Sequence, residues 1–167
     1  NVVVLSDADG TFDGSDLPKM IPYLSNCDMV IGTRQIQVLS EKETQNSMFY
    51  VWGNLFLAKL LQIKYFSLLH MGVVQLTDVG CAFRAIRKES LSKIIDELNN
   101  PKNKSVLKSN NWLFTLDMTM TSIENDLKIV EVPITFRKRI GYSKSEANIK
   151  SKGIIFGLKF IWYIITK

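Results

Sequence analysis

Asp7 and Asp9 are the residues of this 167-residue chain whose types and spacing most readily do chemistry together. They stand in the opening run NVVVLSDADGTFDGSD, with small Ala8 between them and Asp13 and Asp16 following. In an extended segment, residues two apart point to the same face, so both carboxylates can reach one point. Two like charges so close repel each other. A divalent cation, Mg²⁺ or Mn²⁺, removes that cost, and Mg²⁺-type sites commonly take one or two carboxylates and complete their shell with water and substrate phosphate.

Further along, Gly32-Thr33-Arg34 follows an apolar Met-Val-Ile run. Glycine at a strand end lets the backbone approach a ligand, and an arginine two residues later can hold a phosphate or stand as a solvated cation. The stretch TDVGCAFR, residues 77–84, pairs Asp78 with Arg84 across Gly80 and Cys81. Asp78 could accept a hydrogen bond from a sugar or orient an acceptor, or it could be a turn aspartate. Asp117 lies among apolar residues, where an acid is normally paired, so it is a structural salt-bridge member or a site residue. From Arg137 to Lys152 six basic residues face the single acid Glu146, which calls for an anionic partner such as phosphate, a membrane surface or nucleic acid.

The acidic run itself admits rival chemistries. Asp and Gly build ordinary turns, so a plain acidic turn is one reading. Asp7-Ala8-Asp9 also reads as the DxD of a nucleotide-sugar glycosyltransferase. With Gly10 and Thr11 it reads equally as the DxDGT of a haloacid-dehalogenase-type phosphatase, in which Asp7 would be nucleophile and Asp9 acid/base.

These residues need elements to hold them. Val2 to Leu5 reads as a buried, core-type strand, and the chain opens inside it without a starting Met, as a fragment would. Ser15 is expected to cap a helix running to about Leu24, with Pro18 in its first turn. Asp28 to Gly32 reads as a second buried strand. Gln35 to Gln45 is polar and aperiodic, a surface loop of the kind that closes over substrates. Asn46 to Leu61 reads as a helix whose stripe of Phe49, Trp52, Phe56 and Leu60 is expected to face the core. Ile63 to Leu76 is apolar enough for Tyr65, Phe66, Leu68, Leu69 and Met71 to face lipid or a partner, yet too short to span a bilayer.

Lys88 to Leu98 reads as a surface helix, 99–111 as a polar loop and Trp112 to Ile123 as a helix. Leu127 to Val132 alternates as a strand, with Pro133 marking an edge or bulge. Gly153 to Ile165 is an apolar helix of roughly 20 Å, able to lie on a membrane or join the core but too short to cross.

Composition sets the outer limits. With 22% charged and 46% hydrophobic residues the balance is that of an ordinary globular domain with a sizeable core. Cys27 and Cys81 have no CxxC spacing, and His70 is the one histidine, so neither a zinc site nor a disulfide scaffold is indicated and a reduced, cytosolic compartment is the simpler reading.

Taken together, LSDADGTFDGSDLPKMI, DMVIGTR, Gly53-Asn54, TDVGCAFRAIRKESL and LKIVEVPITFRKRIGYSK resemble, in order and spacing, the family 2 glycosyltransferases of GT-A fold, in particular their dolichol-phosphate mannosyltransferase-like and polyprenol-phosphate branch. The resemblance implies an α/β, Rossmann-like sheet flanked by helices, of which this chain carries the C-terminal portion over 1–152, followed by an amphipathic or membrane-proximal helix over 153–167. It implies a metal-dependent, inverting transfer of sugar from a nucleotide diphosphate to a polyprenyl phosphate on the cytoplasmic face of a membrane, with no nucleic acid involved.

On this resemblance Asp7 and Asp9 hold the metal, with Thr11 a weaker candidate, and Arg34 and Arg139 contact phosphates. Asp78 and Arg84 lie beside the acceptor, Ser143 and Lys144 match an SK pair, Arg137 joins the phosphate-binding group, and Asp117 falls where the long helix carries an acid. The chain departs from the family in having no basic residue between Lys42 and Lys59, and in lacking the opening strand and the early base-binding acid. The phosphatase alternative needs a later GDxxxD-type pair that no credible strand precedes. A non-catalytic module for anionic membranes is the remaining alternative.

Overall fold

The structure is a computed structural model, and it describes residues 1–35, 48–67, 74–98, 113–140 and 150–167. An open four-stranded sheet is built from β1 (Val2–Leu5), β2 (Met29–Thr33), β3 (Arg84–Arg87) and β4 (Ile129–Pro133), three of them rich in β-branched residues, in the order β1-β3-β2-β4. Strand β3 runs antiparallel to both β1 and β2, whereas β2 and β4 are parallel. It follows that β1, β2 and β4 share one direction and deliver their carboxyl ends to the same end of the sheet, the end from which the chain enters β3. The mixed α/β architecture expected of a Rossmann-like sheet is present.

The inner strand β2 is buried throughout, but β1 is not. Among the described residues β1 pairs with β3 alone, and Val2 and Val4 are exposed, which corrects the expectation of a fully buried strand. The segment after the acidic turn also differs from a continuous helix capped by Ser15. Asp13 is the cap, its Oδ1 accepting from the Ser15 amide at 2.9 Å, and a 3₁₀ turn (Gly14–Asp16), the short helix α1 (Leu17–Met20) and a second 3₁₀ run (Ile21–Ser25) follow. Pro18 and Pro22 account for the breaks, since each removes a helical N–H donor.

Helices α2 (Met48–Lys64), α3 (Lys88–Leu98), α4 (Phe114–Glu124) and α5 (Lys150–Thr166) complete the domain, with α3 packed on α4 and α2 on α5. In α2 the core side is Leu57, Ala58 and Leu61 with Leu60 partly buried against it, while Trp52 and Phe56 of the expected stripe are 65% and 55% exposed and face outward. Helix α2 is apolar on nearly every side, and a 3.6-residue period cannot say which side is covered when there is no polar side for contrast.

Gly32, near the end of β2, is fixed by close packing. A Cβ there would stand 2.7 Å from Cδ1 of Ile134, a side chain that is itself buried. Gly32→Ala is therefore expected to destabilise the fold by about 1–3 kcal/mol, the usual cost of overpacking, and Ile134→Val in the same chain should recover part of it in urea unfolding.

Candidate active site

The acidic loop leaves β1 at the carboxyl end of the sheet, and its shape comes from its own side chains. Asp9 Oδ1 accepts from the Thr11 amide at 3.0 Å and from the Thr11 hydroxyl at 2.5 Å, an Asx-type turn that Gly10 completes at φ +78°. The chain leaving β4 is laid against this loop. The Arg137 amide donates to Thr11 O (2.9 Å) and the Ile140 amide to Asp9 O (2.8 Å), while Phe12 and Phe136 form a β-bridge and Phe12 stacks on Phe83 at 5.4 Å. Buried Asp16 adds an anchor, its Oδ2 accepting from the Thr135 amide at 2.7 Å.

That seam sets two arginines against two aspartates. Arg139 Nη2 stands 2.8 Å from Asp9 Oδ2, and Arg137 pairs with Asp13. The Nε of Arg139 is enclosed and has no hydrogen-bond partner among the described residues. Asp7 makes no side-chain hydrogen bond or ion pair among the described residues. Partial withdrawal from water and the neighbouring Asp9 carboxylate raise its pKa above the usual carboxylate range, against the opposing pull of Arg139 and Arg34.

Arg34 extends from the end of β2 into a two-pronged clamp. Its Nε and Nη2 donate to Oδ2 and Oδ1 of fully buried Asp78 at 2.6 and 2.8 Å, and its guanidinium lies 5.0 Å from the centre of the Phe136 ring. Burial alone would lower the Arg34 pKa, and the Asp78 carboxylate more than reverses this, so the guanidinium stays charged. Both Asp78 oxygens serve Arg34, and Oδ1 also accepts from the Gly80 amide at 3.3 Å. In this geometry Asp78 holds Arg34. Among the described residues Arg34 Nη1 makes no hydrogen bond.

The site residues expected from sequence do not all gather here. Asp7, Asp9, Arg34, Asp78, Arg137 and Arg139 lie around this end of the sheet. Arg84 is enclosed in the interior, where Nε donates to Cys81 O (2.8 Å), Nη1 to Thr119 Oγ1 (2.9 Å) and Nη2 to Val79 O (3.4 Å), and burial lowers its pKa to about 10. It ties the loop before β3 to α4, which is a structural part. Asp117 is on the α4–α5 contact, its Oδ1 accepting from Tyr163 Oη at 2.6 Å and Lys167 Nζ at 2.7 Å, so the salt-bridge alternative holds for it. Ser143 and Lys144, most of the Gln35–Gln45 loop, the loop over 99–111 and His70 lie outside the described residues.

Sequence reasoning missed Glu131. From β4 its carboxylate accepts from the Thr77 amide and the Asp78 amide, both at 2.9 Å, and from the Thr77 hydroxyl at 2.7 Å. It thereby holds the turn that carries Asp78. An acid inside the alternating run IVEVP, where the strand is partly covered, was the available signal.

The described groups bear on whether a cation fits. Within this described set, Arg34, Arg137 and Arg139 stand against Asp7, Asp9, Asp13 and Asp78, three positive charges against four negative. A diphosphate would add further repulsion that a divalent cation beside Asp7 and Asp9 would relieve. Among the described residues no group of three or more acids, cysteines or histidines forms a ready cage, but two carboxylates with water and phosphate are enough for a Mg²⁺-type ion. The residues present fit the group.

No protein-family model matches the sequence. Undecaprenyl-phosphate mannosyltransferase of Micrococcus luteus is 28% identical over 169 residues, taking in 97% of this chain and 62% of that protein. Polyprenol monophosphomannose synthase of Mycolicibacterium smegmatis is 31% identical over 153 residues, 90% of this chain and 51% of that protein. The chain is a relative of the polyprenol-phosphate glycosyltransferases. It spans 51–62% of the length of these curated relatives. The resemblance read from the motifs alone thus extends across nearly the whole of this chain, and the α/β sheet agrees with it.

Proposed function

We propose that the protein to which this chain belongs transfers a sugar, mannose by the names of its relatives, from a nucleotide diphosphate to a polyprenyl phosphate, with inversion at the anomeric carbon. The observation that carries the reading is the meeting of Asp7, Asp9, Arg139 and Arg34 at the carboxyl end of the sheet, where open α/β folds bind ligands. An oxygen of the acceptor phosphate attacks the anomeric carbon, the bond from that carbon to the diphosphate breaks, and the electron pair leaves with the nucleotide diphosphate. The acceptor is already ionised near neutral pH, so no strong general base is required. What the chain must supply is positive charge at the departing diphosphate, usually the largest catalytic contribution. Arg34, pre-aligned by Asp78, and Arg139 are its sources here. A divalent cation on Asp7 and Asp9 would add Lewis-acid stabilisation of the same leaving group.

The test uses the full-length protein with labelled nucleotide sugars and polyprenyl phosphate, with and without chelator, beside a phosphomonoester. Label moving into lipid extract in a metal-dependent way supports the reading, and hydrolysis of the monoester alone would replace it with the phosphatase.

The same reading includes a membrane surface as partner, on its cytoplasmic face. Helices α2 and α5 pack together and expose Trp52, Phe56, Ile63, Ile154, Ile155, Leu158 and Trp162, and neither helix contains an acidic residue. No described helix is long and apolar enough to cross a membrane. Exposed apolar residues on helices whose only charged residues are lysines suit an anionic bilayer surface. Vesicles with anionic lipid are expected to blue-shift tryptophan emission, and Trp52→Ser/Trp162→Ser should remove most of the shift while neutral vesicles give little.

A further inference from the structure

We infer that Glu131 is a positioning residue whose carboxylate, held by the Thr77–Asp78 turn, fixes the Asp78–Arg34 clamp and the exit of the chain from β2 as one unit. The inference rests on the proposed transfer for its kinetic part only. Glu131 enters no ion pair among the described residues. Its oxygens are engaged by the Thr77 and Asp78 amides and the Thr77 hydroxyl, at 2.7–2.9 Å. A carboxylate accepts only, so the Thr77 hydroxyl must donate to it. At the 2.9 Å contact between Thr33 Oγ1 and Thr77 Oγ1, the Thr33 hydroxyl is then the donor. Thr33 Oγ1 in turn accepts from the Gln35 amide at 3.1 Å. One polarised chain therefore runs from the Gln35 amide through both threonines to Glu131, and every proton direction in it depends on Glu131 being an acceptor.

The chain and the clamp share their anchor points. Thr33 and Gln35 flank Arg34, and the Arg34 amide itself lies 3.3 Å from Asp78 Oδ2. Strand pairing sets Ile31 opposite Glu131 and Thr33 opposite Pro133, so the carboxylate rises from the strand adjoining the one that carries Arg34. Asp78 is paired with Arg34, whereas burial, with the Asp78 charge nearby, raises the Glu131 pKa above the usual carboxylate value against the pull of the Thr77 and Asp78 hydrogen bonds, so the carboxylate depends on those donors to stay an acceptor. A glutamine at 131 keeps the volume but presents an NH₂ group, to which the Thr77 hydroxyl would have to accept instead of donate, reversing the chain to Thr33.

Two measurements on the full-length protein test this. In steady-state transfer, Glu131→Gln is expected to lower kcat by about 10–100-fold, the range seen when partners that orient a site's direct contacts are lost. On an Arg34→Lys background the same change should cost less than about 2-fold, because the two residues act as a unit. Losses that multiply would overturn the inference. Independently of activity, the Arg34 Nε–H signal in ¹⁵N spectra, identified by its loss in Arg34→Lys, should move toward the exposed arginines in Glu131→Gln. An unmoved signal would overturn it as well. Absence of any transfer by the wild-type protein would sink the proposed function and leave the Nε signal to decide the role of Glu131. If Glu131→Gln does not fold, Thr77→Val removes one donor to the same carboxylate and carries the same comparisons.

Discussion

Asp78→Ala is expected to remove about 3–5 kcal/mol of stability, toward the lower end because Arg34 retains 17% exposure. The loss has a definite origin. Asp78 is fully buried and accepts two charge-assisted hydrogen bonds from one guanidinium, and without it Arg34 is left as a mostly enclosed cation above the Phe136 ring. Replacing both partners avoids the stranded charge, so Arg34→Met/Asp78→Leu should recover most of the stability in urea unfolding. Transfer should stay lost in the double variant, because the guanidinium proposed to meet the phosphate is gone. Recovery of both would show that the clamp serves the fold alone. Loss of both would show that this end of the sheet tolerates no apolar pair.

Asp7→Asn and Asp9→Asn should each lower transfer on the order of 10²–10⁴-fold, the worth of several kcal/mol of charge stabilisation at the leaving group, and each should weaken Mn²⁺ binding in titration calorimetry. Their effects on stability should have opposite signs. Asp9 accepts from Thr11 and pairs with Arg139, so Asp9→Asn loosens the seam between the two loops. Asp7 has a raised pKa, caused first by withdrawal from water and then by Asp9, so its charge opposes folding. The folded pKa lies above the unfolded value of 3.8, and the folded state therefore takes up its proton at the higher pH. The advantage of Asp7→Asn in thermal unfolding should accordingly be full above the folded pKa and close as the pH falls through it toward 3.8. Chelator-insensitive transfer that both variants retain would end the metal reading.

The sequence made the strands and the functional cluster legible because both depend on local pattern. Val-Val-Val-Leu and Met-Val-Ile are runs that backbone geometry turns into strands, and DADG is a turn with carboxylates at a fixed spacing. Arg34 could be chosen because it stands just after a strand, and Arg139 because it falls in the resembling family's pattern three residues after Phe136. Partners remote in sequence could not be read the same way. Asp78 reads as a turn acid or an acceptor contact until β2 brings Arg34 beside it, and Arg84 reads as an acceptor-side cation until Thr119 is found against it in the interior. Glu131 was hidden because a lone acid in an alternating strand normally faces water. Trp52 and Phe56 misled for another reason: helical period identifies a stripe but not what covers it.

The shared direction of β1, β2 and β4 also sorts the chain into regions of unequal tolerance. Every group argued to meet a ligand is at one end, while the turn between α4 and β4 is at the other. There Asp126 holds φ +54°, a left-handed position that glycine adopts without strain. A spectroscopic label or short insertion at 125–126 would be borne far from the chemistry. The molecule thus offers a built-in attachment point from which its working end can be observed without being touched.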